Sequence, residues 1–530
     1  MADHRKKSIV MQGSILAGAG LITKVIGFVY RIPMANIMGN NGNGLYSVSF
    51  GIYNIALTLS SYSMPLAVSK LLSARLTKKQ FKNARRLFAD AFIFALISGL
   101  LAALILYLGA SGFALIYHKE GLERPLRILA PTVFVVALLG TCRGYYQGHR
   151  NMVPTAISQI IEQIINAIVS VLAASAFVKM AAEEDAASYG AMGGTLGTFA
   201  GAGAAFAFFL LLLFRDRKAF TALGKGEDVL DEDHKTVMRA IRLTMLPVIL
   251  SQTIYQLGYT VDDLIFGNLM IRKGFSEKLT TALQGVFNTQ YNQMINLPVA
   301  VATAMAAATL PSIVVSYTKG EKDKVRLKTD TVLKVNMLIA IPSAIGLAML
   351  ADPIMRLLFP GLGDLHDTAV NLLTYGSSAV VFYALSTVTT SILQGCDHMK
   401  TPVIHSAISL VIHVVIVAGF LLFTDMEVSA LLIGNVTFPL CVSVMNCISL
   451  AKLSDYSFKW MDTFLKPLFC SILMGLAAKA VYTLLNMRNT AGSFAGTLIA
   501  FALSMISAFI VYALTLVLTG TLRLRRGRTS

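Results

Sequence analysis

Tyr146-Gln147-Gly148-His149-Arg150-Asn151-Met152-Val153-Pro154 returns later in the chain as Leu393-Gln394-Gly395-Cys396-Asp397-His398-Met399-Lys400-Thr401-Pro402. The Gln-Gly pair and the Met recur at one offset of 247, and the Pro follows one residue later. Each copy is a short polar turn between two long apolar runs. Working outward from these turns, fourteen runs are bounded by charge, Pro or Gly clusters, at 13–37, 45–70, 88–117, 126–147, 154–178, 189–214, 243–270, 281–316, 333–351, 368–394, 402–423, 428–451, 463–486 and 491–519. A hydrocarbon core of roughly 30 Å takes about 20 apolar residues per helix, so each run is long enough to span a bilayer. Composition agrees: of 530 residues 55% are hydrophobic, 40 are Gly and only 14% are charged, too few polar groups to cover a water-facing surface.

Both copies of the turn occupy the same step of a six-run series. Six is even, so both halves enter the membrane in the same sense. The expected fold is an all-α polytopic membrane protein with 14 transmembrane helices. Two six-helix lobes would be related by a pseudo-two-fold along the membrane normal, with spans 13 and 14 outside that scheme. The expected division is an N-lobe over 1–214, a linker over 215–242, a C-lobe over 243–453, and spans 13 and 14 with a basic tail over 454–530. Substrate would sit between the lobes.

The formal net charge of +17 is explained by topology. With both termini cytoplasmic, the inner connections hold most of the lysines and arginines: Arg75, Lys78, Lys79, Lys82, Arg85 and Arg86 in one, Lys319, Lys322, Lys324, Arg326 and Lys328 in another, and Arg523, Arg525, Arg526 and Arg528 in the tail. These cations anchor topology, with contact to anionic membrane lipids as a secondary role, and no nucleic-acid partner is implied. Cys142, Cys396, Cys441, Cys447 and Cys470 fall in or beside apolar runs and form no disulfide framework. No P-loop, nucleophile elbow or Cys/His metal cluster is present, so catalysis, a metal and a cofactor are not expected. Transport would draw on Na⁺, H⁺, the membrane potential or substrate supply.

Charge inside hydrocarbon costs at least about 2.5–3.5 kcal/mol, so an intramembrane ionisable group normally faces a cavity or a partner. Span 1 has two, Lys24 and Arg31, seven residues apart and so on nearly one helical face about 10 Å apart. Pro33 removes a backbone donor just beyond them. Other spans carry uncharged polar stripes: Gln159, Glu162, Gln163 and Asn166 in span 5; Gln252, Tyr255, Gln256 and Tyr259 in span 7; Asn288, Tyr291 and Asn292 in span 8; Tyr53, Asn54 and Ser61 in span 2. Together these predict an interior cavity lined with amides and phenols, groups suited to sugar hydroxyls, although any one of them can serve as interhelical glue. Glu162, Asp262 and Asp263 are candidate charge partners for Lys24 and Arg31, or candidate ion or proton sites.

Tyr30-Arg31-Ile32-Pro33, the turn Gly39-Asn40-Asn41-Gly42-Asn43-Gly44-Leu45-Tyr46, Met64-Pro65-Leu66-Ala67-Val68-Ser69-Lys70, and Tyr146 through Pro154 to Glu162-Gln163 resemble the MOP flippase superfamily, which also contains the MATE exporters. Within it the match is closest to the polysaccharide biosynthesis and stage V sporulation protein B branch, similar to MurJ-type lipid II flippases. The resemblance implies a V-shaped bundle in a bacterial cell membrane that moves undecaprenyl-diphosphate-linked saccharides from the inner to the outer leaflet, for peptidoglycan or polysaccharide assembly or during sporulation, alongside cell-wall synthesis enzymes. It implies diphosphate binding by cavity cations, a role that fits Lys24 and Arg31, and a lipid-tail groove beside spans 13 and 14. The chain departs from the lipid II type in spans 2 and 8, where Asn54, Ser61, Asn288 and Asn292 stand in place of central arginines. A Na⁺- or H⁺-coupled multidrug or toxin exporter is the alternative, discriminated by an anionic rather than cationic cavity. A membrane glycosyltransferase would want a large outer loop with an acid and a base, and the links near 179–188 and 352–367 are too small.

Overall fold

With no water to satisfy backbone groups in hydrocarbon, runs this apolar must close their hydrogen bonds within each segment, which means helices. The computed structural model describes residues 2–217, 232–454, 456–487 and 493–521, and no strand occurs among them. The chain packs as two compact units, Met1–Gly285 and Val286–Ser530. The first contains α1 (Ala2–Ser60), α2 (Met64–Thr77), α3 (Phe81–Tyr117), α4 (Glu123–Gly148), α5 (Val153–Met180), α6 (Ala186–Arg215), α7 (His234–Arg272) and α8 (Glu277–Gly285). The second contains α9 (Asn292–Thr318), α10 (Lys322–Met349), α11 (Ala351–Leu358), α12 (His366–Gly376), α13 (Ala379–Gly395), α14 (Lys400–Phe423), α15 (Val428–Ser454), α16 (Lys466–Met487) and α17 (Phe494–Leu518).

Helix occupies all fourteen expected positions, with differences in where it breaks. Among the described residues ten helices are individually long and apolar enough to cross a membrane, and Pro360–Gly376 with Ala379–Gly395 passes the same test only as a pair, bent by 44°. One of the ten, Gly18–Thr77, holds both of the first two expected spans. There the helix continues past the expected loop, broken only at Gly39, whose φ of 67° suits a residue without Cβ. Span 2 is broken instead at Ser61–Ser63, and α2 restarts with Pro65 in its first turn, where the missing N–H has no intrahelical acceptor to lose. A π-helical stretch, Val286–Tyr291, interrupts the eighth expected span.

The end of the expected linker, 215–242, is fastened to α2 and α3, and both it and the helices on either side of it belong to the first unit. Glu232 accepts from Arg75 and Arg86, and His234 Nδ1 lies 2.7 Å from Asp90 Oδ1. Asp233 caps α7 by accepting from Thr236 N at 2.9 Å. Residues 218–231 of the linker lie outside the described residues.

The duplicated turn has the same backbone in each unit. Arg150 takes φ 62° and Asp397 takes φ 63°, positions that differ by the same offset as the sequence repeat. Asn151 N bonds Tyr146 O at 3.1 Å, and His398 N bonds Leu393 O at 2.9 Å. These are 6→1 closures over a left-handed residue, so both helices end in one Schellman-like stop. Gly148 rests against Leu72 of α2, just past the end of the second expected span, and Gly395 against Ile313 in the eighth, six steps later.

Candidate functional site

The cationic stripe of α1 packs along the polar stripe of α5. Lys24, Gly27 and Arg31 are spaced three and four residues apart and so share a face. At Gly27 a Cβ would stand 3.1 Å from Gln163 Nε2, so the glycine lets the α5 amide reach the α1 backbone. One turn on, Asn166 Nδ2 donates to Tyr30 Oη at 3.3 Å, and Ser170 Oγ donates to Asn166 Oδ1 at 2.9 Å. Lys24 and Arg31 are exposed, and among the described residues neither has a carboxylate within ion-pair distance. Arg31 is instead within electrostatic reach of the Tyr30 and Tyr46 phenols.

Glu162, a candidate partner of those cations, is taken by another arginine. Arg143 of α4 places Nη2 2.6 Å from Glu162 Oε2 and donates from Nε to Ser158 Oγ at 3.1 Å. The pair is mostly shielded, with side-chain exposures of 14% and 27%. Sequence reasoning passed over Arg143, yet a signal existed. Residues 143 and 158 are equidistant from the turn joining α4 and α5, and in an antiparallel helix pair equidistant residues face each other. Tyr53 is buried within electrostatic reach of Glu162, Asn54 is half-buried beside it in sequence, and Gln159 Oε1 is buried with no hydrogen-bond partner among the described residues. Ser61 bonds back to Leu57 O at 3.3 Å, at the break in span 2.

A second polar cluster closes the face that carries the 39–44, 118–122 and 273–276 connections. Asp263 of α7 is buried, with its carbonyl accepting from Gln284 Nε2 at 2.8 Å. Lys119, in the turn between α3 and α4, is 2% exposed and donates to Thr281 Oγ1 at 2.8 Å. Burial pushes its ammonium down to about 8, against the opposing attraction of Asp263 and Glu277. Beside it the backbones touch: a Cβ on Gly44 would fall 2.1 Å from Thr281 O, and one on Gly285 2.2 Å from Asn40 O. The glycines of the Gly39–Gly44 turn are what let α1 and α8 approach so closely.

The other singled-out residues divide between the two units. Asp262, Gln252 and Gln256 are half-buried on α7, and the side chains of Tyr255 and Tyr259 lie outside the described residues. Asn288, Tyr291 and Asn292 belong to the second unit. There Tyr291 is fully buried, with Oη 3.1 Å from both Gly376 O and Asn435 Oδ1, and Asn292 Nδ2 donates to Asn288 Oδ1 at 3.4 Å. Among the described residues no group of three or more His, Cys, Asp or Glu could hold a metal ion.

Residues 9–317 match the polysaccharide biosynthesis protein family, and residues 247–418 match the MatE family. The chain is 24% identical over 498 residues to the lipid II flippase MurJ of Bacillus subtilis (strain 168), covering 90% of this chain and 89% of that one. It is 24% identical over 361 residues to stage V sporulation protein B of the same organism, covering 67% and 68%. Its fold is similar to the inward closed conformation of lipid II flippase MurJ, with TM-score 0.66 and 13% identity over 95% of this chain and 99% of that one. An inward-facing MATE family transporter of the MOP superfamily is similar at TM-score 0.68 and 14% identity, over 82% and 96%.

Proposed function

Because the chain belongs to the polysaccharide biosynthesis protein family, we propose that this multi-pass membrane protein is a flippase that moves an undecaprenyl-diphosphate-linked saccharide from the inner to the outer leaflet of a bacterial cell membrane by alternating access. The observation that carries this reading is the balance of charge along α1 and α5. Glu162 is paired with Arg143, while Lys24 and Arg31 are exposed beside amides and phenols with no carboxylate within ion-pair distance among the described residues. A diphosphate is the anion such a stripe suits, since charge-assisted bonds to phosphate oxygens are about twice as strong as neutral ones. The amides of Gln159, Gln163 and Asn54 offer donors and acceptors for the sugar.

An exporter of organic cations would need the opposite sign. Its carboxylates would have to stand free, whereas Glu162 is paired and Asp263 lies close to Lys119. The curated relatives named lipid II flippase and stage V sporulation protein B favour a lipid-linked precursor as the class of substrate. The cytoplasmic placement of both termini follows from the basic connections. Coupling to Na⁺, H⁺ or the membrane potential, and association with cell-wall synthesis enzymes, belong to the same proposal.

Native mass spectrometry of the purified protein with lipid II, undecaprenyl phosphate and ordinary phospholipids in competition tests it. Wild type should retain lipid II selectively, and a variant with Lys24→Glu and Arg31→Glu should not. Retention no better than that of phospholipid would move the reading to another lipid-linked glycan or to the exporter.

A further inference from the structure

The connection between α15 and α16 carries a ladder of aromatic rings that the transport reading does not use. Tyr456 and Phe458 stand 4.9 Å apart edge to face, Phe458 and Trp460 5.7 Å apart, and Trp460 and Phe464 5.1 Å apart. One end of the ladder is pinned. Tyr456 is buried and donates its hydroxyl to Asp330 of α10, and the Lys459 ammonium bonds the other oxygen of the same carboxylate. The rest faces outward. Trp460 is 60% exposed, Met461 58% and Leu465 51%, and Leu468 and Phe469 at the start of α16 are exposed as well.

Lys459, Asp462 and Lys466 alternate with these rings along the segment. Lys466 Nζ lies 2.6 Å from Asp462 Oδ1, and Lys334 acts electrostatically on the same carboxylate. Lys334, Lys459 and Lys466 thus outnumber Asp330 and Asp462 by one: Asp330 holds Lys459, Asp462 holds Lys466, and Lys334 donates to Thr521 O at 3.2 Å. An exposed Trp flanked by Lys, at the end of a spanning helix, fits the boundary between headgroups and acyl chains better than it fits water or hydrocarbon. The cation distribution places this end of α16 on the cytoplasmic side. We propose that Tyr456–Lys466 is an interfacial lipid site, which seats Trp460 among the headgroups of the inner leaflet and prefers anionic phospholipid there.

Trp460 is the one tryptophan of the chain, so its fluorescence reports this site alone. The intact protein would be reconstituted in phosphatidylcholine with dilute brominated lipid. Bromine placed near the headgroup should quench Trp460 strongly, bromine near the chain end weakly, and aqueous iodide little. At equal mole fraction, brominated phosphatidylglycerol should quench as though enriched about fivefold over brominated phosphatidylcholine, the worth of one net cation at an anionic surface. Raising salt, or replacing Lys334, Lys459 and Lys466 by Gln, should remove that preference while leaving the depth profile unchanged. Quenching by iodide rather than bromine would overturn the interfacial seat. Equal quenching by the two brominated lipids in the wild-type protein would overturn the anionic preference, whatever the stability of the variant.

Discussion

Gly285→Ala should weaken the closure of α1 onto α8 without disturbing either helix. The new Cβ would lie 2.2 Å from Asn40 O and 2.7 Å from Gly44 N, where ordinary contact begins at 3.4 Å. Both neighbours are backbone atoms, so no side chain can rotate aside and the helices must part. Overpacking of this kind costs about 1–3 kcal/mol, and a double backbone clash belongs at the upper end. The better helix propensity of Ala is common to the closed and open forms and cancels between them. The clash therefore appears whole in the conformational equilibrium, where about 3 kcal/mol is roughly a 100-fold shift. Thr280, buried on α8, reports it. With Thr280→Cys, labelling by a membrane-impermeant maleimide from the outside, counted above the background of the five native cysteines, should accelerate by up to that factor in Gly285→Ala. Gly267→Ala is the control, because its Cβ would meet only Tyr117 O at 3.6 Å, and it should label like the parent. An unchanged rate in folded Gly285→Ala would refute the idea that this contact holds α8 closed on α1.

Arg143→Gln leaves Glu162 without its cation and should lower stability by about 1–3 kcal/mol, read as thermal unfolding in detergent. Adding Glu162→Gln should recover most of that loss, and a double-mutant cycle with no coupling would dismiss the pair. Lys119 should titrate near 8 in a methyl-lysine NMR experiment, well below the usual 10.5. Its folded form then binds fewer protons than the unfolded chain between about pH 8 and 10.5, so stability should rise with pH across that window and Lys119→Met should lose the rise. A resonance titrating at the ordinary lysine value would contradict the burial. Arg31→Glu should abolish transport while membrane insertion stays intact; normal transport in that variant would remove the cationic stripe from the mechanism.

The helices were legible because hydrocarbon imposes its own length on apolar runs, and the duplication was legible because a helix stop needs particular residues in order. The left-handed residues at Arg150 and Asp397 are not marked by glycine, yet the Gln-Gly and Met around them betrayed the turn twice. What escaped was everything decided by contact between helices. The sequence 39–44 reads as a loop because glycine and asparagine are turn formers, but α8 packs against it tightly enough to keep it helical apart from one residue. The break at Ser61–Ser63 lies inside an unbroken apolar run, and only Pro65 hinted at it. Arg143, near the end of its span, looks like one more topological cation until α5 brings Glu162 to it. In span 8 the π-helical stretch Val286–Tyr291 changes the period on which the grouping of Asn288, Tyr291 and Asn292 rests. Periodicity alone does not say what a polar face meets, and Tyr291 turned inward to its own bundle while Gln163 met the cationic stripe.

Gly39 divides α1 into two arms, because at φ 67° and ψ 177° one residue outside helical geometry separates two helical stretches. A long loop would let the arms diverge anywhere along its length, whereas a one-residue break confines the bend to a single point. In the proposed flippase, a movement of the arm carrying Lys24 and Arg31 would pass through that point to the arm carrying Tyr53, which ends at the break before α2. Gly39 and Ser61–Ser63 are thus the two places where the first two spans would bend before such a movement reaches the basic connection at Arg75–Arg86.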